Sequence, residues 1–498
     1  MRCRIGAISV ALCVCCAPAW AAPQPVTLRE AVALALRRNP ALAGAGAALA
    51  AAEGSVLASR GLDDASLSAR GEVRVLRRTQ ALDPPLIERA SEELAGSVRV
   101  AQPLPSGGRL ALGFETAYAR TQSDAALDPG LPPSAQPWSS ALQLSLQQPL
   151  LRGFGAGVAR AEQRRASSAR DRASAEREGL ALSLLRDVVS GYWQLAHGLH
   201  ELDIRRASAA AARDQLERVH ASIGVGKLPP SAAAEIEVVI ALREDAVLLA
   251  KQRLTERELS LGRLCGVAEG EPLRPSQPLP ALAPAAPAER DFNATLAAAL
   301  AHSPQLQALS AQGRTAAVEL EVGENGLLPQ LDLSLAGGPA GSAAEAHAAF
   351  EQLVSFSGYA LQASLSLELP LARHAARGAL VVAHGNARGA QLDAADVTAQ
   401  LRAAVASALA LLETARRRAA LLVPSQRAAA LDLESERARF EVGRASNFDV
   451  LRRQDALAAV QLLLLRAELE RLEAEATLDA LTGELFVQHG VVLGRGER

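Results

Sequence analysis

The chain carries one helix-and-proline signature twice. Ala31–Leu42 reads AVALALRRNPAL, and the same spacing of apolar, polar and proline positions returns in Thr295–Leu306 as TLAAALAHSPQL. In each copy the proline follows a residue able to cap a helix, Asn39 or Ser303. Pro40 and Pro304 can therefore open a second helix at its first turn, where a missing N–H costs nothing. A repeat at this separation means that two similar halves lie in tandem, so any fold proposed for the first must also suit the second. Between them Pro272–Pro287 holds six prolines and no apolar period, which reads as an extended linker. The boundaries that follow are a leader at 1–21, a first repeat at 22–265, a proline-rich linker at 266–290, a second repeat at 291–487 and a tail at 488–498.

Both halves place alternating segments after the short helices. In the second half Leu331, Leu333 and Leu335 alternate with Asp332 and Ser334. Tyr359, Leu361, Ala363, Leu365, Leu367 and Leu369 alternate with Gln362, Ser364, Ser366 and Glu368. In the first half Leu110, Leu112, Phe114, Thr116 and Tyr118 oppose Ala111, Glu115 and Arg120, and Leu142, Leu144 and Leu146 oppose Gln143, Ser145 and Gln147. Ser66–Val75 alternates too, with Arg70, Glu72 and Arg74 on its polar side. A period of two gives a strand with one apolar and one polar face. A soluble half-buried sheet satisfies that pattern. So does a barrel with lipid outside and water inside, for which about ten residues per strand suffice. The first half has extra chain around Glu72–Ser106, which leaves open which of its alternating segments join such a barrel. Tyr118, Trp138 and Tyr359 are the candidates for interfacial anchors.

The remaining length is helical in composition. Gly157–Ser222, Ser231–Gly262, Arg377–Leu422 and Ala428–Leu485 are rich in Ala, Leu, Arg and Glu. In the last, Leu462, Leu465, Leu469, Leu472 and Ala476 step by three and four and form one apolar stripe. Helices of 30 to 60 residues run roughly 45 to 90 Å, too long to surround one globular core, so they must align side by side. Ile223–Ser231 and Val442–Asn447 interrupt the stripes and place two hairpin turns, with Gly as the left-handed terminator and Ser231 or Asn447 as the following cap. Pro424 predicts a kink or break in the second hairpin.

The beginning of the chain changes what the cysteines mean. Arg2 and Arg4 precede the apolar run Ile5–Cys16, and Ala19-Trp20-Ala21 suits cleavage after Ala21, as in an export leader. Four of the five cysteines, Cys3, Cys13, Cys15 and Cys16, lie in that run, and Cys265 alone follows it. One thiol makes no intrachain disulfide, and Cys265 sits in a helical pattern suited to plain packing. Beyond residue 21 no uncharged apolar stretch has the length of a spanning helix, so a membrane crossing would fall to strands. With 52 Lys+Arg against 54 Asp+Glu there is no basic excess of the kind a nucleic-acid binder needs.

Enzyme readings lack their parts. Gly224-Val-Gly226-Lys227-Leu228 has Ala221 where a phosphate loop needs its first Gly, and Leu228 where Ser or Thr would hold magnesium. His197 and His200 can share a helix face but have no third ligand nearby. The expectation is no enzyme, no cofactor and no metal.

Asn39-Pro40 with its echo Ser303-Pro304, Gln148-Pro149-Leu150-Leu151-Arg152-Gly153, Leu369-Pro370-Leu371 and Phe440-Glu-Val-Gly443-Arg444-Ala-Ser-Asn-Phe-Asp449-Val-Leu451 resemble the TolC family of outer-membrane efflux proteins. The resemblance implies a mixed α and β membrane protein of a Gram-negative outer membrane with a large periplasmic part. It further implies a homotrimer in which each protomer gives four strands to a shared β-barrel, with long α-helical hairpins forming a coiled-coil tunnel. Such a channel is the passive exit duct of an efflux or type I secretion system, reached by an inner-membrane pump through a periplasmic adaptor, with membrane lipid around it and no nucleic acid. It also implies that Gly226, Lys227, Gly443 and Arg444 are adaptor-contact tips, and that Asp449, Arg452 and Phe440 lie at the pore entrance. Three copies of Asp449 would make a carboxylate ring favouring cations. Arg452 stands where relatives carry a second Asp and could pair with Asp449. Phe440 lacks the hydroxyl of the tyrosine some relatives use to latch the entrance. A plainer role for Asp449 is that of a helix N-terminal carboxylate. The rival for the whole chain is a periplasmic helical-hairpin adaptor or envelope scaffold without a barrel, which would have one hairpin and no alternating segments.

Overall fold

A computed structural model describes residues 24–81, 86–123, 137–226, 229–267, 273–280 and 290–491. The proposed leader at 1–21, Lys227 and residues 492–498 of the tail lie outside them. The elements follow in the order β1 (Gln24–Val26), α1 (Leu28–Arg38), α2 (Pro40–Arg60), β2 (Ser66–Ala81), β3 (Leu86–Pro103), β4 (Arg109–Ser123), β5 (Trp138–Pro149), α3 (Ala156–Ala159), α4 (Ala161–Gly224) and α5 (Ser231–Cys265). The second half continues with β6 (Leu273–Pro275), α6 (Phe292–Ala301), α7 (Pro304–Gly326), β7 (Gln330–Ala343), α8 (Ala346–Val354), β8 (Tyr359–Glu368), α9 (His374–Glu441), α10 (Asn447–Thr482) and α11 (Glu484–His489). The chain divides into two compact units, one made of Met1–Ala47, Ala175–Leu306 and Asp396–Arg498, the other of Ala48–Ser174 and Gln307–Ala395.

The repeated signature has a mechanical meaning. Asn39 Oδ1 accepts from the backbone N–H of Ala41 and Leu42 at 3.0 and 3.2 Å, and Ser303 Oγ accepts from that of Leu306 at 3.3 Å. Each cap takes up donors that the first turn cannot satisfy internally, and the proline behind it starts the helix with its backbone angle already set. Thr27 and Glu30 close a capping box on α1 in the same way.

In the first unit the apolar faces of α1, α4 and α5 meet around Tyr192, Leu185, Leu195 and Leu261, all essentially buried. The Tyr192 hydroxyl donates to the Val26 carbonyl at 3.2 Å and accepts from the Gln277 N–H at 3.3 Å. Two residues of the proline-rich stretch are therefore tied to the core: Gln277 through that bond, and Leu273 through the parallel pairing of β6 with β1. Leu279 is also buried, against Ala196, Leu465 and Leu472. Cys265 is fully buried, its thiol 3.6 Å from the Ala31 carbonyl, and burial pushes its pKa up to about 11. A thiol that does not ionise is inert, in keeping with the packing role expected of it.

In the second unit the strands form one antiparallel sheet of order β2-β3-β4-β5-β7-β8. The resemblance implied four strands per chain; the sheet has six, and the hairpin β3–β4 stands between β2 and β5, with β3 inside the extra length around Glu72–Ser106. The register explains why the hairpin is accommodated. Leu67 pairs with Val100, Val100 with Leu112, Leu112 with Leu144, Leu144 with Gly337 and Gly337 with Leu361, so one row of apolar or small residues crosses all six strands. Residues one position along each strand point to the opposite face, where Ser68, Arg99, Gly113 and Gln143 form the neighbouring row.

Two helix expectations need correction. α9 runs unbroken through Pro424, which lies inside its 68 residues, so the predicted break does not occur. Proline removes its own N–H and frees the Ala420 carbonyl. Both residues are exposed, and water can take the orphaned acceptor. Secondly, Pro40–Asp63 and part of His374–Glu441 are long and apolar enough to cross a membrane by length and composition, with mean hydropathies of 1.5 and 1.3. Helices had been excluded from crossing because charges interrupt every such stretch. Ala raises the hydropathy of α2 without supplying much area to bury, whereas the sheet presents Leu, Val and Phe on one face.

Candidate functional site

The first candidate site is the turn between α9 and α10, with the parallel turn after α4. α9 ends in a left-handed cap: Gly443 adopts a φ of +72°, its N–H donates to the Phe440 carbonyl at 2.9 Å, and the Arg444 N–H donates to Arg439 at 2.8 Å. Gly226 repeats the device after α4 with a φ of +74° and a 2.9 Å bond to the Ile223 carbonyl. Only glycine takes this conformation freely, which accounts for a Gly at both tips. Arg444, Val442 and Phe448 are exposed around the second turn, as is Val225 at the first.

Asp449 is the third residue of α10 and forms a capping box with Ser446. Its Oδ2 accepts from the Ser446 N–H at 3.0 Å and from the Ser446 hydroxyl at 2.6 Å, while its own N–H donates to Ser446 Oγ at 3.2 Å. These bonds, the hydroxyl first, hold the carboxyl below the usual carboxylate range. The helix-terminal role anticipated for Asp449 is thus present in the geometry. The expected partner Arg452 is exposed and is not the cation acting on it; Arg453 and Arg439 lower its pKa instead. One turn of helix explains the difference: the carboxylate reaches back to the cap at Ser446, away from position 452.

Phe440 packs inward. It joins Val219, Ile236 and Leu451 in an apolar cluster drawn from α4, α5, α9 and α10, so the two hairpin turns share one small core. Above it lies a polar layer that sequence reasoning missed. Gln215 donates to Asn447 Oδ1 at 2.8 Å, with both residues buried. Arg243, 8% exposed, donates to the Ser208 carbonyl at 2.7 Å, to Gln454 Oε1 at 2.9 Å and to Asp455 Oδ1 at 2.8 Å. One guanidinium thereby fastens α5 to both α4 and α10. Its Nε, with Gln454 Nε2 and Asn447 Nδ2, remains without a hydrogen-bond partner in this buried layer. The available signal was a cation at a position whose helical neighbours are apolar.

Further along the same unit, the histidines once weighed as ligands are part of an ionic cluster. His197 is buried, and Arg257 Nη1 lies 3.4 Å from its Nδ1. Burial, then Arg257, Arg466 and His200, lower its pKa to about 4, so it is a neutral acceptor at neutral pH. Glu201 is within 3.8 Å of Arg257 and 3.7 Å of Arg253.

The second candidate site is the sheet. Its apolar face carries an aromatic cluster at one end of the strands: Tyr118 and Trp138 pair across β4 and β5 with ring centroids 5.0 Å apart. Tyr359 opens β8 and is 74% exposed. α8 lies on this face, its Phe350 ring edge-on to Phe114 at 6.3 Å, and leaves Phe350 and Val354 exposed. The opposite face holds Arg70, Glu72, Arg74, Glu93, Arg99 and Glu115. Arg74 is paired with Glu72 at 2.6 Å and with Glu93 at 3.3 Å. Arg120, expected opposite Tyr118, stands instead on the apolar side, paired across the strands with Glu92 beyond the Tyr118 row. A face of exposed aliphatics with ion pairs on the reverse is the pattern of a strand wall between an apolar and an aqueous phase.

Residues 295–484 match the family model described as outer membrane efflux protein. That stretch, in the second half of the chain, is similar to the outer membrane efflux proteins. Solved structures extend the likeness in fold to most of the length of the chain. The outer-membrane channel OprN aligns with a TM-score of 0.67 at 15% identity, covering 92% of this chain and 89% of its own. CusC gives 0.65 at 14%, covering 92% of each. VceC, an outer membrane protein of Vibrio cholerae, gives 0.64 at 16%, covering 92% and 96%. No curated protein matches. The TolC-like resemblance read from the sequence holds, and the fold is that of the outer-membrane efflux channels, strands for a barrel with long helical hairpins.

Proposed function

We propose that this chain is the outer-membrane component of a multi-part efflux or secretion system. Three copies close one barrel, and their helical hairpins line a periplasmic tunnel that meets an adaptor and an inner-membrane pump. Transport through it is passive, with energy supplied by the pump. The single observation that carries this reading is the apolar face that runs across the sheet from the Leu67 row to the Val73 row, with Arg70, Glu72, Glu93, Arg99 and Glu115 on the reverse. A hairpin adaptor without a barrel leaves such a face with nothing to contact.

Within this reading, Gly226, Lys227, Gly443 and Arg444 form the tips that meet the adaptor. Phe440, Asp449 and Arg452 surround the entrance. Capping does not consume the charge of Asp449, because the bonds to Ser446 favour the ionised form. A ring of three such carboxylates would attract cations. The test is fractionation of cells expressing the full-length chain: the protein is expected in the outer membrane as a trimer, and recovery as a soluble monomer would sink the proposal.

A further inference from the structure

We propose that the hairpin β3–β4 belongs to the membrane wall itself, so that each copy contributes six strands to the shared barrel, which closes by pairing the β2 edge of one copy with the β8 edge of the next. The proposal rests on the channel reading above.

The hairpin lies in the middle of the sheet. β3 pairs with β2 along 16 residues of the latter, and β4 pairs with β5, so β2 reaches β5 only through the hairpin. If the hairpin left the wall, β2 and β5 would each expose unpaired backbone to lipid, where every unsatisfied group costs several kcal/mol. Its strands are also long enough. β3 has 18 residues and β4 has 15, against 10 in β8, and a tilted crossing needs about 9 to 11.

Side-chain chemistry agrees from the Leu67 row to the Val73 row, beyond which Glu92 and Arg120 mark the end of the apolar band. Val98 pairs with Ala69 and Phe114, and Phe114 with Leu142; Leu94 pairs with Val73 and Tyr118, and Tyr118 with Trp138. The lipid-compatible face and its aromatic cluster therefore pass through the hairpin without interruption. The charges of β3 and β4 that stand opposite these rows, Glu93, Arg99 and Glu115, share the water side with Arg70, Glu72 and Arg74. At the outer edges β8 is exposed along its full length and β2 along residues 66–76. A second copy of this chain is the occupant that can satisfy both, since only another strand supplies the missing hydrogen bonds.

Barrel diameter grows roughly in proportion to strand number, so six strands per copy instead of four widen the bore by about half. The passage at the membrane would be lined by mixed charge from the first half of each chain. This suits solutes too bulky for a four-strand wall more than ions of one sign.

A cysteine scan with a membrane-impermeant maleimide tests the proposal on the full-length trimer in outer-membrane vesicles, with buried Cys265 as the quiet background. Single variants on the hairpin are Val98→Cys and Leu112→Cys for the apolar face, and Arg99→Cys and Glu115→Cys for the polar face. Controls on strands that belong to the barrel under either count are Leu144→Cys and Gln143→Cys on β5, with Leu365→Cys and Ser364→Cys on β8. The expected result is labelling at Arg99→Cys and Glu115→Cys that is roughly tenfold or more faster than at Val98→Cys and Leu112→Cys, mirroring the controls. Alternating controls with hairpin positions that label equally on both faces would place the hairpin outside the wall and overturn the six-strand barrel alone. Controls that fail to alternate would remove the channel reading along with it.

Discussion

Asp449 performs two kinds of work with one carboxylate. Its hydrogen bonds to Ser446 start α10, and the same bonds keep it charged. The contributions can be separated. Asn retains an acceptor for the cap but carries no charge, whereas Ala removes both. If the charge shapes the entrance, Asp449→Asn and Asp449→Ala lower cation preference alike in planar bilayers; a change confined to Ala would assign the residue to the cap alone. Arg243 matters for a different reason. It is buried and bonded to α4 and α10, so Arg243→Ala strands the acceptors on Gln454 and Ser208. A loss of about 2 to 4 kcal/mol is expected from breaking such a buried polar junction, with partial recovery in Arg243→Met, which keeps the stem. Thermal unfolding followed in the helical circular-dichroism band measures it, and an unchanged midpoint would refute it. The sequence reading put the cap of α10 at Asn447, one residue late, although the Ser446-x-x-Asp449 box is a local pattern. The Arg243 junction was not legible, because its side-chain partners Gln454 and Asp455 lie 211 and 212 residues away and no local pattern connects them.

The elements divide along the same line between local and distant causes. Capped prolines, left-handed glycines and the period of two fixed α2, α7, both hairpin turns and most strands before any tertiary contact was known. β3 was the strand least visible in sequence, because Ala90, Ala95 and Gly96 dilute its alternation and only pairing to β2 and β4 gives it a face. Pro424 misled in the other direction, since exposure decides whether a proline breaks a helix or merely wets it. Within α4, the buried His197 should make the helical bundle sensitive to acid. Its folded-state pKa of about 4 lies below the ordinary 6.5, so the unfolded chain binds more protons between these values. Stability is therefore full above pH 6.5 and falls as pH drops toward 4, by up to about 3 kcal/mol per chain. His197→Gln should flatten that part of the pH profile of the melting temperature; an identical slope would show that other groups govern it.

At the scale of the whole molecule, the tandem repeat and the family resemblance gave the plan of the chain from its sequence, and the long hairpins and strands follow that plan. What they did not give is the inequality of the halves. With three copies and two matched halves each, a barrel would approach sixfold symmetry, every sector nearly equivalent to the next. With the β3–β4 hairpin in the wall that equivalence would be lost: four-strand sectors from the first halves would alternate with two-strand sectors from the second. Arg70, Arg74 and Arg99 all belong to the larger sectors, while the smaller ones carry only the carboxylates Asp332 and Glu368 on this face, so the arginines would recur every third of a turn and be absent between. A solute or blocking ligand with three arms would find matching docking points around this mouth, while one with six would find only half of them.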